Sequence, residues 1–265
     1  MDKIKNMSNY YNRQWRLPNA WNGTESNVNK QSNYSLSFDG SSQYIDLNTS
    51  LNGINSISYS VWIKPEQPSG NYGYIIAAGN YGSTDRMLSI AVKKSNRKIF
   101  VFGGQNSGGV NKESNFTVTY GTWYHVAIVY TNNQDVDFYI NGNPEGSIQF
   151  DNTSSIASGS PTRIGVYSST LQNYFNGQID AVAIYNYALS SSQITTLYGS
   201  SSTGIGNPMS LSPAPVAYYP LGDQDAFNGS NYLVPNSSLK DYVFFVDNVF
   251  QNTSTNGVTM GSYSD

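Results

Sequence analysis

The feature that most limits what this chain can become is a pair of adjacent period-two segments closed by Asn-Gly. Gly121-Thr122-Trp123-Tyr124-His125-Val126-Ala127-Ile128-Val129-Tyr130 is followed, after a short polar break, by Val136-Asp137-Phe138-Tyr139-Ile140-Asn141-Gly142. Side chains two apart on a strand share a face, so Trp123, Ala127 and Val129 fall together, as do Val136, Phe138 and Ile140. Each segment is therefore expected to be a half-buried strand. Asn-Gly supplies the two positive φ angles of a type I′ turn, so the chain should reverse at Asn141-Gly142 and return through Gly146 to Phe150. The expected product is a meander of antiparallel strands.

Strand patterns recur on both sides of this hairpin: Tyr34 to Phe38, Tyr44 to Leu47, Ile57 to Ile63, Tyr74 to Ala78, Met87 to Val92 and Lys98 to Phe102, then Phe116 to Val118, Thr162 to Val166 and Gln178 to Tyr185. Many short strands separated by Gly, Asn, Ser and Pro turns predict an all-β, antiparallel two-sheet sandwich with apolar inner faces. Ser190-Ser191-Ser192-Gln193 reads as a capping box opening one short helix through Ile194, Leu197 and Tyr198, and the sandwich is expected to end there, at 199. Residues 1–33 are polar and Asn-rich, with Trp15 and Trp21 as isolated anchors, and read as an N-terminal arm. Residues 200–215 carry Gly and Ser and then Pro208, Pro213 and Pro215, which reads as a linker. In the tail, 216–265, Ala226-Phe227-Asn228-Gly229-Ser230 echoes Ala20-Trp21-Asn22-Gly23-Thr24, and Lys240 to Asp247 echoes Ser32 to Asp39. The tail thus resembles the start of a second, incomplete repeat, whose apolar run Tyr242 to Val246 must be buried against the sandwich or a neighbouring subunit.

The Trp-Tyr-His-Val-Ala and Phe-Tyr-Ile-Asn-Gly segments resemble the central signature of laminin-G-like, concanavalin-A-like jelly-roll domains. Flanking stretches extend the resemblance over roughly residues 34 to 199: Leu36-Ser37-Phe38-Asp39-Gly40, Tyr44-Ile45-Asp46-Leu47, Ser60-Val61-Trp62-Ile63-Lys64-Pro65, and Phe175-Asn176-Gly177-Gln178-Ile179-Asp180 through Tyr185. The resemblance implies a jelly-roll sandwich. It leaves function open, because such folds host lectins, adhesion modules, enzyme appendages and viral surface proteins.

The composition narrows the chemistry. With 265 residues, a net charge of -3 and 12% charged residues, the chain has no overall basic field for nucleic acid. No cysteine is present, so disulfides and thiolate metal sites are excluded. There is one histidine, His125, which the resemblance implies is a packing residue, and no Gly-x-Ser-x-Gly elbow accompanies it. Asp135 and Asp137 share a strand face but flank a polar turn, a weak start for the paired carboxylates of a glycosidase. The resemblance also implies a structural Ca²⁺ at the sandwich rim, at Asp39, Gly40 and Asp180; an Asx turn at Asp39 and a backbone hydrogen bond at Asp180 account for the same residues. Tyr72, Tyr74 and Tyr81, with Gln105 and Asn106 of the glycine-rich stretch Gly103 to Asn111, form a candidate sugar site of stacking rings and amide hydrogen bonds.

The N-terminus has no apolar run of the signal-peptide kind, and no stretch is apolar enough to span a bilayer. A sequon such as Asn115-Phe116-Thr117 would carry a glycan only in a eukaryotic secretory pathway. Together these features lead to a non-enzymatic surface protein. The first expectation is a virion subunit, a phage head decoration or fibre, displayed on the virion surface and contacting other virion proteins or copies of itself as a homo-oligomer. The alternative is an extracellular, lectin-like carbohydrate-binding module with a glycan ligand. Neither reading includes nucleic acid or membrane insertion.

Overall fold

The computed structural model describes residues 34–47, 51, 55–78, 87–104, 110–131, 135–149, 162–167, 170–200, 205–221, 226–227, 232–233 and 259–262. The arm at 1–33 and the apolar run Tyr242 to Val246 lie outside the described residues. In chain order the strands are β1 (Tyr34–Asp39), β2 (Ile45–Leu47), β3 (Ile57–Pro65), β4 (Tyr72–Ala78), β5 (Met87–Lys93), β6 (Lys98–Gly104), β7 (Val110–Thr117) and β8 (Tyr124–Tyr130). They continue with β9 (Asp135–Ile140), β10 (Asn143–Gln149), β11 (Thr162–Ile164), β12 (Asn176–Tyr185), β13 (Ala217–Tyr219), β14 (Ala226–Phe227), β15 (Tyr232–Leu233) and β16 (Thr259–Ser262). One sheet runs β10-β9-β8-β3-β12-β1-β16, with β13 also paired to β12; the other runs β2-β11-β4-β5-β6-β7, and β14 pairs with β15.

The two sheets bury a common core to which Leu36, Ile63, Ile90, Val101, Val126 and Phe138 belong. The Asn-Gly turn forms as its sequence dictates, with φ of 51° at Asn141 and 78° at Gly142. On β9, Val136, Phe138 and Ile140 point inward while the residues between them stay half-buried. On β8 the expectation of a half-buried strand fails, because all seven residues are buried. Tyr124, Val126, Ile128 and Tyr130 face the other sheet. Ala127 and Val129 face outward and are covered by Leu189, Ile194 and Leu197, two of which lie on helix α1 (Ser191–Tyr198). A central strand roofed by a helix loses its exposed face, so its sequence becomes continuously apolar.

The helix starts at the capping box read from the sequence. Gln193 N donates to Ser190 Oγ at 3.3 Å, and Ser190 N donates to Gln193 Oε1 at 2.9 Å. Two helix-end donors are thereby satisfied reciprocally.

The sandwich does not close at 199. Of the expected linker, 205–215 is packed: Asn207 Oδ1 accepts from Met209 N, Leu211 joins the apolar cluster under α1, and the Tyr187 hydroxyl donates to the Pro213 carbonyl at 2.6 Å. Val216 N then donates to the Ile184 carbonyl, and β13 pairs along Val182 to Ile184. Ala217, Tyr219 and Leu221 enter the inter-sheet core. The edge of β12 facing away from β3 is shared, with β1 on Asn176 to Ile179 and β13 beyond. A bulge between Asp180 and Ala183 separates the two pairings. At the outer edge, β16 pairs antiparallel with Tyr34 to Ser37 of β1.

Candidate functional site

The outer face of the six-stranded sheet carries a second apolar cluster, distinct from the core. Register fixes its layout. One row of cross-strand neighbours runs Asp46, Arg163, Ala77, Ser89 and Phe102. The next holds Tyr74, Ala91, Phe100 and Glu113. The third holds Tyr72 and Lys93, with Lys98 on the Phe100 face of β6 two residues away. Tyr74, Ala77, Ala91 and Phe100 are buried there, with Tyr72, Phe102 and Tyr167 packed against them. Ring centroids lie 4.7 Å apart for Tyr72 and Phe100, 4.9 Å for Tyr74 and Tyr167 and 6.1 Å for Tyr72 and Tyr74. Burial, helped by the neighbouring Tyr167 and Tyr72, pushes the Tyr74 phenol well above its ordinary range, so it stays a neutral hydroxyl. Ser89 Oγ lies on this side of the sheet, buried and without a hydrogen-bond partner.

Of the sugar-site residues expected from sequence, the structure brings Tyr72 and Tyr74 together, while Tyr81, Gln105 and Asn106 lie outside the described residues. Phe100, Phe102 and Tyr167 were not singled out. Ile99-Phe100-Val101-Phe102 is an uninterrupted apolar run, and such a run does not reveal which rings face away from the core. At one end of the face Arg163 Nε donates to Asp46 Oδ2 at 3.1 Å, and its guanidinium lies 5.6 Å from the Tyr44 ring centroid. At the other end Lys93 pairs with Glu113, which also accepts from Asn96 Nδ2 at 2.7 Å.

The residues expected at a calcium site are not brought together. Asp39 pairs with Asn176 on β12, four residues from Asp180, which is about 13 Å at strand rise. Asp39 Oδ1 accepts the N–H groups of Ser41 and Ser42 at 2.9 Å and of Gln43 at 3.2 Å, and Oδ2 accepts the Ser42 hydroxyl. Partial burial pushes this carboxyl up, but the bonds from Ser42 and Ser41 outweigh it and hold the group well below the usual carboxylate range. Gly40, at φ 71°, offers its carbonyl to the Ser69 hydroxyl. Asp180 is fully buried and accepts from Ala181 N at 2.6 Å. The oxygens of Asp39 and Asp180 thus serve protein donors at two separate places and do not fit a shared Ca²⁺. Among the described residues no group of three or more His, Asp or Glu side chains converges.

His125 sits on the outward side of β8 with no solvent exposure. Its Nε2 lies 2.9 Å from Ser60 Oγ, its backbone N–H donates to Asn141 Oδ1, and its ring lies 5.5 Å from Trp62 and 6.1 Å from Tyr198 of α1. Nδ1 is buried without a partner. Burial pushes the imidazole down to about 3, so it is neutral and sealed, unlike a general base, which needs reach to substrate and a pKa near the working pH. Asp135 and Asp137 share the half-buried outer face of β9.

Two antiparallel sheets around one core, with an aromatic outer face on the smaller sheet, define the jelly-roll sandwich class of β protein. The chain belongs to the laminin-G-like family of the concanavalin A-like lectin/glucanases superfamily, whose model matches residues 39–195. No curated protein sequence matches the chain. Among solved structures it is similar to a heptameric SAP-like pentraxin from Limulus polyphemus, with a TM-score of 0.57 and 18% identity over 90% of this chain and 97% of the pentraxin. A protein of Bacteroides ovatus proposed to bind carbohydrate gives a TM-score of 0.60 at 18% identity, covering 89% of this chain, which spans 61% of that protein. Domain 4 of AbnA, an extracellular arabinanase from Geobacillus stearothermophilus, in complex with arabinotriose, gives 0.50 at 24% identity over 63% of this chain and 76% of that one. At these identities the likenesses establish the fold.

Proposed function

We propose that the chain is a non-enzymatic binding module whose outer six-stranded face receives a glycan. The observation that carries this reading is the ring cluster on the side of the sheet away from the core, in which the half-buried Tyr72, Phe102 and Tyr167 rest on the buried Tyr74 and Phe100. Flat rings stack on the C–H faces of pyranoses with little loss of side-chain freedom, and the Arg163–Asp46 pair and Tyr hydroxyls supply polar groups that fix orientation. The buried, neutral His125 and the separated carboxylates favour binding over hydrolysis. The arabinotriose held by the Geobacillus domain and the carbohydrate assignment of the Bacteroides protein support the ligand class. The test is a glycan array followed by calorimetric titration, with Tyr72→Ala as the variant. Loss of binding in a chain that still folds cooperatively is expected; retained affinity removes the face from the site.

A second reading, a virion-surface subunit, is favoured by one observation: the β1 edge takes a short added strand, β16, the geometry through which a neighbouring copy would dock. Mass spectrometry of density-purified particles tests it. A fixed high copy number supports it, and absence from particles ends it.

A further inference from the structure

Resting on the reading of the outer face as a glycan platform, we infer that its ligand is an anionic glycan, whose carboxylate or sulfate meets Lys98 while a sugar ring lies against Tyr72. The inference comes from how charge is distributed in an acidic chain. Net charge is -3, yet Lys93, Lys94, Arg97 and Lys98 crowd into the turn from β5 to β6, and Lys112 stands on the neighbouring β7. Glu113 is the acid set among them, and it is held by Lys93 and Asn96. Lys94 Nζ donates to the Ser69 carbonyl. Lys98 makes no ion pair among the described residues, although its charge helps to hold Glu113 ionised; the exposed Arg97 acts instead on Tyr120, which packs against the inter-sheet core. Repulsion among these like charges opposes folding, so a structure that keeps them together gains most when an anion arrives.

Position ties the cations to the rings. Tyr72 is the cross-strand neighbour of Lys93 and lies 4.7 Å, ring to ring, from Phe100. Lys98 shares the Phe100 face two residues along β6. A pyranose stacked on Tyr72 would therefore hold a substituent within reach of Lys98, with the turn beyond it. A neutral sugar uses the ring and leaves the charges idle. A carboxylated or sulfated sugar uses both, and charge-assisted hydrogen bonds are the stronger kind. A polynucleotide would meet the same charges, but the patch is confined to one turn of an acidic protein rather than forming a stripe.

The test uses the full chain on an array of neutral, carboxylated and sulfated glycans, then titrations with oligogalacturonate, a heparin-derived hexasaccharide and neutral cellohexaose. The expected result is that an anionic probe binds more than about tenfold tighter than cellohexaose in low salt, weakening as salt rises. Lys98→Gln should erode that preference in a chain that still folds, whereas Tyr72→Ala should weaken all sugars. Equal binding of neutral sugars, indifferent to the charge variant, overturns the inference and leaves the glycan reading standing. A single-stranded oligonucleotide of matched charge that competes equally also overturns it, in favour of unspecific polyanion attraction. Silence across the whole array defeats both readings.

Discussion

Mild acid should destabilise this protein through His125. His125 is the one histidine of the chain; it is fully buried, and burial pushes it down to about 3 from a value near 6.5 in the unfolded chain. The unfolded state therefore takes up a proton below about pH 6.5 that the folded state refuses until about pH 3. The linkage has a definite sign: the stability is present above the unfolded value and is lost as pH falls. At about 1.36 kcal/mol for each pH unit below the unfolded pKa, lowering pH from 7.5 to 5.0 should cost about 2 kcal/mol. Asp39 and Glu113, both held below their ordinary values, lose their contributions only at lower pH. The assay is urea unfolding at both pH values for the native chain and for His125→Gln. The native chain should lose about 2 kcal/mol more than the variant, whatever the variant's own deficit at pH 7.5. Where the variant does not fold, the imidazole C–H shifts of the native chain serve instead, and they should not move between pH 8 and 5. Equal losses, or an imidazole titrating near 6.5, would refute a sealed, neutral His125.

Three further outcomes are open to measurement. Gly177→Ala should destabilise by about 2–5 kcal/mol in denaturant unfolding, since Gly177 holds φ 126° and a Cβ there would overlap the Lys64 carbonyl. Ser190→Ala should remove the helix cap and cost about 1 kcal/mol, read as a melting temperature lower by about 2–4 °C; no change would mean that α1 is held by Ile194 and Leu197 alone. Millimolar calcium or a chelator should leave the melting temperature where it was, because Asp39 and Asp180 spend their oxygens on separate protein donors, and a calcium-dependent rise would point to a site made by other residues.

The parts of the fold read correctly from sequence were those in which local chemistry decides the outcome. Asn141-Gly142 accepts positive φ, and Ser190 and Gln193 cap each other within four residues, so no distant contact is needed to specify either. What escaped the sequence was set by distant partners. Ala127 and Val129 do share a face, but whether that face meets water depends on a helix more than sixty residues later in the chain, and α1 buries it. Most of β7 was missed because Val110-Asn111-Lys112-Glu113-Ser114-Asn115 lacks apolar alternation; it is a sheet-edge strand held by pairing with β6. The outer aromatic cluster was half legible for a related reason. Tyr72 and Tyr74 announce themselves by spacing, whereas Phe100 and Phe102 sit in a run whose inward and outward residues are equally apolar. The aspartates proposed for calcium carried no signal of their separation, which follows from the antiparallel register of β1 and β12.

The stretch that marks the family stops at 195, but the polypeptide does not finish its interior there. Tyr219 and Leu221 occupy the same buried space as Leu36 and Ile184, so the unit that can be recognised and the unit that can fold have different lengths. A protein ended at 199 would keep every residue of the signature and still open a gap along β12, leaving apolar side chains of both sheets facing water. Shuffling or expressing this module by its recognisable borders alone would yield a sticky fragment, and its true seam falls beyond Leu221.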